Sequence, residues 1–400
     1  MAMNAERLFE AIASVSRDCA DCRAVYLVGG AVRDQLLGHD LEGLRDLDLV
    51  VEGDAIALAE LLVERLGGSL DSHRRFGTAS WRGPLWEGVV DLVSARSESY
   101  PRPGQLPEVA PAPLLDDLLR RDFTVNAMAR LLSAETAELI DPSGGAGDLA
   151  LGLLRIHHPG SFVDDPTRIL RLARLAVRLD FGLEDATEQA LRSALAEHVF
   201  DRVSGERLWA EWCLIFEESD PLRVLVWMQQ SGVASSLFPA FGSSSLTQLK
   251  RASRRDVEGW SPLLSLAALL EGADPGAACA RLGLYGGRAR LLSVCVQARA
   301  QLLPQLLSAA DDEALERLLG SVAADTRLFL SVVAPQSRAA LARYEGHLLP
   351  LEPLLRGEDL VAAGMEPGRA IGAALRRVRG AQLRGEVTSP DQALRLLALK

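Results

Sequence analysis

Two aspartates in the stretch RDLDLVVEGD, Asp46 and Asp48, stand one residue apart in an apolar run. Residues i and i+2 of a strand point to the same face. Asp46 and Asp48 therefore project together, while Leu47 and Leu49 turn into the packing. Carboxylates that close repel each other unless something positive lies between them. A pair of Mg²⁺ ions meets that need, and two metals beside a phosphate suit in-line displacement at phosphorus. The plainer alternative is a solvated strand edge.

Just upstream, VGGAVRD (28–34) reads as a strand, two glycines and a helix start. Gly29 and Gly30 let a backbone approach a phosphate, the helix start offers N–H groups, and Arg33 adds a charged donor. Taken alone this is a tight turn; no GK[ST] or GxGxxG pattern accompanies it. Asp91, in VVDLVSAR, is placed to be a third carboxylate on a neighbouring strand, or else a solvated residue. RRDFTVNAMA (120–129) brings Arg121, Asp122 and Asn126 together. With a helix starting near Asp122, Asn126 lies one turn on and braces a nucleotide or a strand; a helix cap with surface charge is the alternative. In VDDPTRILRLARLAVRLDFGL (163–183), Asp165 reads as an N-cap with Pro166 at the first helical position. Arg168, Arg171 and Arg174 then share one slowly drifting face, either a solvated stripe or a row facing a nucleotide.

The elements that must carry these residues are a helix over 5–17, a strand in AVYLVGG and a short helix closed by Gly38. A strand in LDLVVEG follows, then a helix from Asp54 as N-cap to the glycines at 67 and 68. FGTASWR and EGVVDLVSARSE read as strands. The stretch 100–113 holds five prolines in fourteen residues, which makes it neither helix nor central strand. A loop that long is functional or mobile. From about residue 163 strand signals nearly vanish and Leu/Ala/Arg-rich helical patterns run to the C-terminus.

At 400 residues and 48% hydrophobic content the chain can bury a large core in two to four domains. No apolar run reaches spanning length and no signal-peptide order opens the sequence, which leads to the expectation of a soluble, cytoplasmic protein without a membrane partner. Cysteines at 19, 22, 213, 279 and 295 form no even framework and no zinc spacing. The net charge of −11 argues against a chain coated in nucleic acid. Local basic stripes still set a field, and two exist: residues 168–178, and the last segment with Arg369, Arg376, Arg377, Arg379 and Arg384.

In order along the chain, LVGGAVRDQLLG…RDLDLVV, RRDFTVNAMA, IDPSGGAGDL…LRIH, DDPTRILRLARLAVRLDF and SGERLWAEW resemble the bacterial (class II) tRNA nucleotidyltransferase and poly(A) polymerase family. RGEDLVAAGMEPGRAIGAAL…LRGEV resembles its C-terminal segment. The likeness is strong over 25–215 and thin in the middle of the second half. It implies an α+β chain: a DNA polymerase beta-type head (1–150) followed by an all-helical neck (151–215), body (216–345) and tail (346–400). It implies template-independent addition of C, C and A to the 3′ end of tRNA from CTP and ATP, with Mg²⁺ held by Asp46 and Asp48. Gly30, Arg33 and Arg121 would contact the nucleotide, Asp165 and Arg168 would read its base, and Arg171 and Arg174 would support that site. The basic tail residues would grip tRNA phosphates, or be a solvated helix face.

The residue types agree with that base choice. Cytosine and adenine both show an amino donor beside a ring-nitrogen acceptor, whereas guanine and uracil show a carbonyl beside an N–H. A carboxylate next to a guanidinium matches the first pair and rejects the second. The chain departs from the family pattern at Asp164 (usually Glu), at Ser143 (usually aromatic) and in the wording of the loop 100–113. In this family that loop couples C addition to A addition, and some bacteria divide the two tasks between enzymes. An enzyme adding only CC or only A, or a poly(A) polymerase, stays open; a non-catalytic RNA-binding protein conflicts with the retained carboxylates. No HD-type metal cluster is apparent in the second half, so no second activity is expected.

Overall fold

A computed structural model describes residues 5–41, 46–132, 138–254 and 256–399. The contacts divide the chain into two compact units, one ending at Leu237 and one starting at Phe238. The chain is of α+β type: a sheet-containing head and a mostly helical remainder.

The first unit begins with α1 (Ala5–Ser16), β1 (Cys22–Val28), α2 (Gly30–Leu36), β2 (Asp46–Gly53) and α3 (Ala55–Leu66). Four strands follow: β3 (Ser69–His73), β4 (Thr78–Arg82), β5 (Val89–Ser94) and β6 (Arg96–Ser99). Next come β7 (Glu108–Pro111), α4 (Leu114–Leu119) and β8 (Ala129–Leu131). Six of the strands form one sheet in the order β3-β4-β5-β2-β1-β8. The β2/β5 pair is parallel and the other pairs are antiparallel.

The alternation of β2 decides how the sheet is covered. Leu47, Leu49 and Val51 point to one face and join Leu8 and Ile12 of α1, Val32 of α2, Leu58 and Leu62 of α3, and Trp81 of β4. Val50 points the other way, to a smaller cluster with Val28, Leu114 and Leu118. Asp46 and Asp48 share the face of Val50, at the end the smaller cluster leaves uncovered. α3 starts as its sequence dictates: the Asp54 carboxylate accepts the N–H groups of Ile56 and Ala57 at 2.8 and 3.1 Å, satisfying donors that a helix start leaves unpaired.

Three expected elements differ in detail. The run read as one strand over 87–98 is broken at Ala95 into β5 and β6. β6 leaves the main sheet and pairs with β7 in a two-stranded ribbon, so residues 108–111 of the proline-rich stretch are strand. This edge ribbon needs few N–H donors, which is why prolines are tolerated there. Finally, the helix expected near Asp122 is a single 3₁₀ turn, Thr124–Asn126.

Beyond the sheet the first unit continues through α5 (Gly145–Leu151), β9 (Leu153–Leu154), α6 (Ser161–Asp164) and α7 (Thr167–Leu179). β10 (Gly182–Leu183), α8 (Asp185–Ala196), α9 (Gly205–Glu217) and α10 (Pro221–Gln230) follow. α7 buries Ile169, Leu170, Leu172, Ala173 and Leu175, the apolar stripe that runs beside its arginines. The second unit is helical throughout its described elements. Near its end, helix Arg369–Leu383 sets Ala374 and Val378 against Leu355, Leu360 and Ala393. Among the described residues no helix is long and apolar enough to cross a membrane.

Candidate nucleotidyl-transfer site

The turn after β1 is where backbone, carboxylate and guanidinium meet. Gly29 sits at φ 70°, a conformation that side chains disfavour. A Cβ there would lie 3.1 Å from Arg121 Nη1 and 3.5 Å from Asp48 Oδ2. Glycine is thus what lets the turn approach both groups. β2 and β5 run in register, so Asp48 lies opposite Asp91 and Asp46 opposite Val89. Ser80 of β4 donates to Asp91 Oδ1 at 2.5 Å, which turns that carboxylate along the sheet.

Asp48 is open to a cleft yet crowded by protein around its carboxyl. Crowding raises its pKa; Asp91 and Asp46 push the same way, and Arg121 and Arg171 oppose them. A carboxylate raised chiefly by burial, with two acidic neighbours beside it, calls for a positive partner, and hard oxygen donors on one strand suit a divalent cation. The residues present therefore fit such an ion. Among the described residues no three His, Cys, Asp or Glu side chains form a ready-made metal cage. An ion at Asp46 and Asp48 would complete its shell with water and substrate oxygens, the usual habit of Mg²⁺.

Arg121 is anchored by Asp117, whose Oδ2 accepts from Nη2 at 3.1 Å. Its buried Nε has no hydrogen-bond partner among the described residues, an unusual state for a charged donor. Asp117 is fully buried and also receives Arg120 at 2.6 Å.

A chain of bonds runs from the buried Arg33 to the cleft wall at Asp122 and Arg171. Arg33 Nη1 donates to Asn126 Oδ1 at 2.7 Å, and Asn126 Nδ2 donates to Asp122 Oδ1 at 3.1 Å. Asp122 Oδ2 accepts from Arg171 Nε at 2.8 Å. Burial opposes the charge on Asp122, but Arg171, Asn126 and the Phe123 N–H together hold its pKa down at about 2. The 3₁₀ turn thus links the helix after the glycines to α7. Arg33 and Asn126, expected to touch a nucleotide, are instead buried with partners and absent from the cleft lining.

At the far end of the cleft, Asp165 Oδ1 accepts from Thr167 N at 3.1 Å, Thr167 Oγ1 at 2.7 Å and Arg207 Nη2 at 2.7 Å. α7 starts one residue later than expected, at Thr167, so Pro166 and not Asp165 holds its N-cap position. The Asp165 carboxylate still takes the Thr167 N–H, and its guanidinium partner is Arg207. Arg168 is 6% exposed and donates to Ser161 Oγ at 2.6 Å and to the Arg120 carbonyl at 2.7 Å. The expected Asp165–Arg168 pair is not formed, because a buried guanidinium takes the acceptors around it. Arg174 leaves the row as well, bonded to Glu211 at 2.8 Å and Glu218 at 2.9 Å.

The cleft has a volume near 460 Å³, within the range of small-molecule sites. Of the expected residues, Asp48, Arg121, Asp165, Arg168 and Arg171 line it. So do Glu98, Tyr100, Arg120, Arg207 and Glu211, which the sequence reading did not assign. Glu98 accepts from Arg120 Nη1 at 2.8 Å and from the Tyr100 hydroxyl at 3.1 Å. Burial, then Glu98, pushes the Tyr100 pKa up to about 12. Arg207 and Glu211 stand at i and i+4 in SGERLWAEW, so helical spacing was the available signal. In the second unit, Arg379 is held by Glu316 at 2.8 Å and by the carbonyls of Leu348 and Leu351. Arg384 pairs with Glu313 and Glu386, whereas Arg376 and Arg377 are exposed.

Residues 25–155 match the poly A polymerase head domain, and residues 180–243 match a domain described as a probable RNA and SrmB-binding site of polymerase A. The chain is 35% identical to the A-adding tRNA nucleotidyltransferase of Halalkalibacterium halodurans, over 92% of this chain and 87% of that one. It is 34% identical to the CC-adding tRNA nucleotidyltransferase of Deinococcus radiodurans, over 94% and 90%. A solved CCA-adding enzyme without ligand superposes with a TM-score of 0.80 at 30% identity, covering 98% of this chain and 95% of that one. The Thermotoga maritima CCA-adding enzyme in complex with tRNA superposes with a TM-score of 0.70 at 30% identity, covering 98% and 94%.

Proposed function

The chain belongs to the tRNA nucleotidyltransferase family, and from that premise we propose that it adds C, C and A to the 3′ end of tRNA from CTP and ATP. The observation that carries this reading is the approach of Gly29 to Arg121 and Asp48 in a cleft whose other end presents Asp165. One end suits a triphosphate and the other suits a base edge.

In this reading the Gly29–Gly30 turn and Arg121, whose side chain lines the cleft, donate to the phosphates. Asp46 and Asp48 would hold Mg²⁺. Bound there, the ion would lower the pKa of the attacking hydroxyl and steady the leaving oxygens. The tRNA 3′-hydroxyl oxygen bonds to the α-phosphorus as the bond to pyrophosphate breaks. The three bonds made by Asp165 all fall on Oδ1. Oδ2 then accepts from the amino group of cytosine or adenine, with Arg168, one turn along α7, as the donor. Guanine and uracil place a carbonyl against that carboxylate, at a cost of about 1–3 kcal/mol. The exposed Arg376 and Arg377 would contact tRNA phosphates.

A second reading, addition of the terminal A alone, is favoured by the 35% identity to an A-adding relative. One assay separates the two. Purified protein is given tRNAs that lack the whole triplet, end in one C, or end in CC, with CTP and ATP singly and together. Full triplets on the shortest tRNA support the first reading; growth only from the CC end supports the second. Long A tails on unstructured RNA, or no transfer at all, would overturn both. Asp48→Ala should lower single-turnover transfer by roughly a thousandfold or more while tRNA still binds.

A further inference from the structure

The loop between β6 and β7 meets α6 and α9 at Gly104. Gly104 N donates to the Asp164 carbonyl at 3.0 Å, and the Gly104 carbonyl accepts from Arg207 Nη1 at 3.0 Å. At φ 75°, Gly104 passes so close that a Cβ would lie 2.5 Å from the Arg202 carbonyl oxygen. Arg207 Nη2, on the same guanidinium, holds Asp165 Oδ1 at 2.7 Å.

A guanidinium is a rigid planar fork, so its two arms cannot move independently. If the Gly104 carbonyl leaves, the fork tilts and Asp165 loses a partner. If Asp165 swings, the hold on the loop weakens. The coupling is reciprocal by thermodynamic necessity. Pinned through Oδ1, Asp165 keeps Oδ2 for the cleft. Arg207 is 23% exposed in its side chain and Asp165 16%, so water competes little for either bond.

We propose that Arg207 is a positioning residue that ties base discrimination to the docking of loop 100–107, one arm fixing Asp165 and the other fixing the Gly104 carbonyl. The proposal rests on the nucleotidyl-transfer reading above, which makes Asp165 a base reader. It adds that the loop controls the reader through this side chain. Lysine, a single-point donor, can serve one acceptor but not hold both in fixed relation.

The test uses the full chain and two readouts. Amide hydrogen exchange over residues 100–107 is measured in nucleotide-free wild type, Arg207→Ala and Arg207→Lys. In parallel, kcat/KM for ATP against GTP is measured on tRNA ending in CC, for the same proteins, Gly104→Ala and the double variant Arg207→Ala/Gly104→Ala. Arg207→Ala should speed loop exchange about tenfold. Arg207→Ala and Gly104→Ala should each cut the ATP:GTP ratio by roughly ten- to a hundredfold, as expected for a misplaced reader. The double variant should fall no further than the worse single one, and Arg207→Lys should recover part of the ratio. A lower kcat with the ratio unchanged, or unchanged loop exchange in Arg207→Ala, overturns the proposal. Wild-type protein that transfers from neither ATP nor CTP would instead sink the functional reading, and loop exchange alone would then decide whether the clasp exists.

Discussion

Helix α7 and helix Arg369–Leu383 both carry arginines at near-helical spacing, yet they use them in opposite ways. In α7 each guanidinium is matched to partners on other elements: Arg168 to Ser161 of the preceding helix and the Arg120 carbonyl, Arg171 to Asp122, Arg174 to Glu211 and Glu218, Arg178 to Glu218. Glu218 is 7% exposed, and though burial opposes its charge, Arg178 and Arg174 keep its pKa low. In the later helix Arg379 is consumed by Glu316, but Arg376 and Arg377 face outward. Arg171 and Arg178 are themselves 47% and 43% exposed in their side chains, but their partners Asp122 and Glu218 are buried. A buried charge demands paired geometry, whereas a pair of exposed arginines without such partners has only to attract. The first row is a scaffold that aims a cleft; the second leaves charge available to a polyanion.

The sharpest way to break this contrast is to remove a buried partner. Asp122→Ala removes the buried acceptor of Arg171, Asn126 and the Phe123 N–H, and with Arg171 47% exposed it should cost about 1–3 kcal/mol in urea unfolding. A loss within experimental error would mean that the α7 row is not a scaffold. Arg168→Ala should also destabilise, and should relax base choice by roughly tenfold or more on tRNA ending in CC; unchanged selectivity would leave Arg168 a purely packing residue. Acid adds a graded version. Burial, then Arg168, lowers the His157 pKa from 6.5 to about 4, so the unfolded chain takes up that proton first. Stability should fall as pH drops from 6.5 towards 4, with no further loss from this group below that. Asp122, held at about 2 against an ordinary 3.8, contributes stability above 3.8 that is lost as pH falls towards 2. His157→Gln should remove the upper step of the urea-midpoint profile and leave the lower one; a profile unchanged by that substitution would refute the assignment. The smallest effect on stability belongs to the exposed pair: Arg376→Ala/Arg377→Ala should shift unfolding by no more than about 0.5 kcal/mol. The same change should reduce the salt slope of tRNA binding by roughly 1.5 to 2, and an unaltered slope would remove both residues from the RNA interface.

Local rules served well where local physics decides. The Asp54 cap, the periodicity of α3 and the shared face of Asp46 and Asp48 follow from spacing alone, as does the strand-turn-helix around Gly29 and Gly30. β3 escaped notice because Ser69–His73 is polar and half-exposed, leaving no apolar alternation to read. β7 was hidden by the prolines around it, whose cost vanishes at the edge of a two-stranded ribbon. Partner choice was the least legible feature. Asp165 has Arg168 three residues away and Arg207 forty-two residues away, and bonds to the distant one. Nearness along a helix states what can meet, but the pairing is decided by which acceptors the fold buries beside each guanidinium. Arg207 and Glu211 were visible as an i, i+4 pair, yet only the packing of α9 against α7 gives that pair a task.

The parallel pairing of β2 with β5 has a consequence for how the protein is made. Antiparallel neighbours can zip outward from a tight turn, but parallel ones need a crossover before they can meet. Here α3, β3 and β4 intervene, so Asp48 and Asp91 come into register only after that loop-closure entropy has been met. A nascent polypeptide halted before Val89 holds Asp46 and Asp48 but lacks the strand that fixes their alignment, so an unfinished product carries no organised acidic centre.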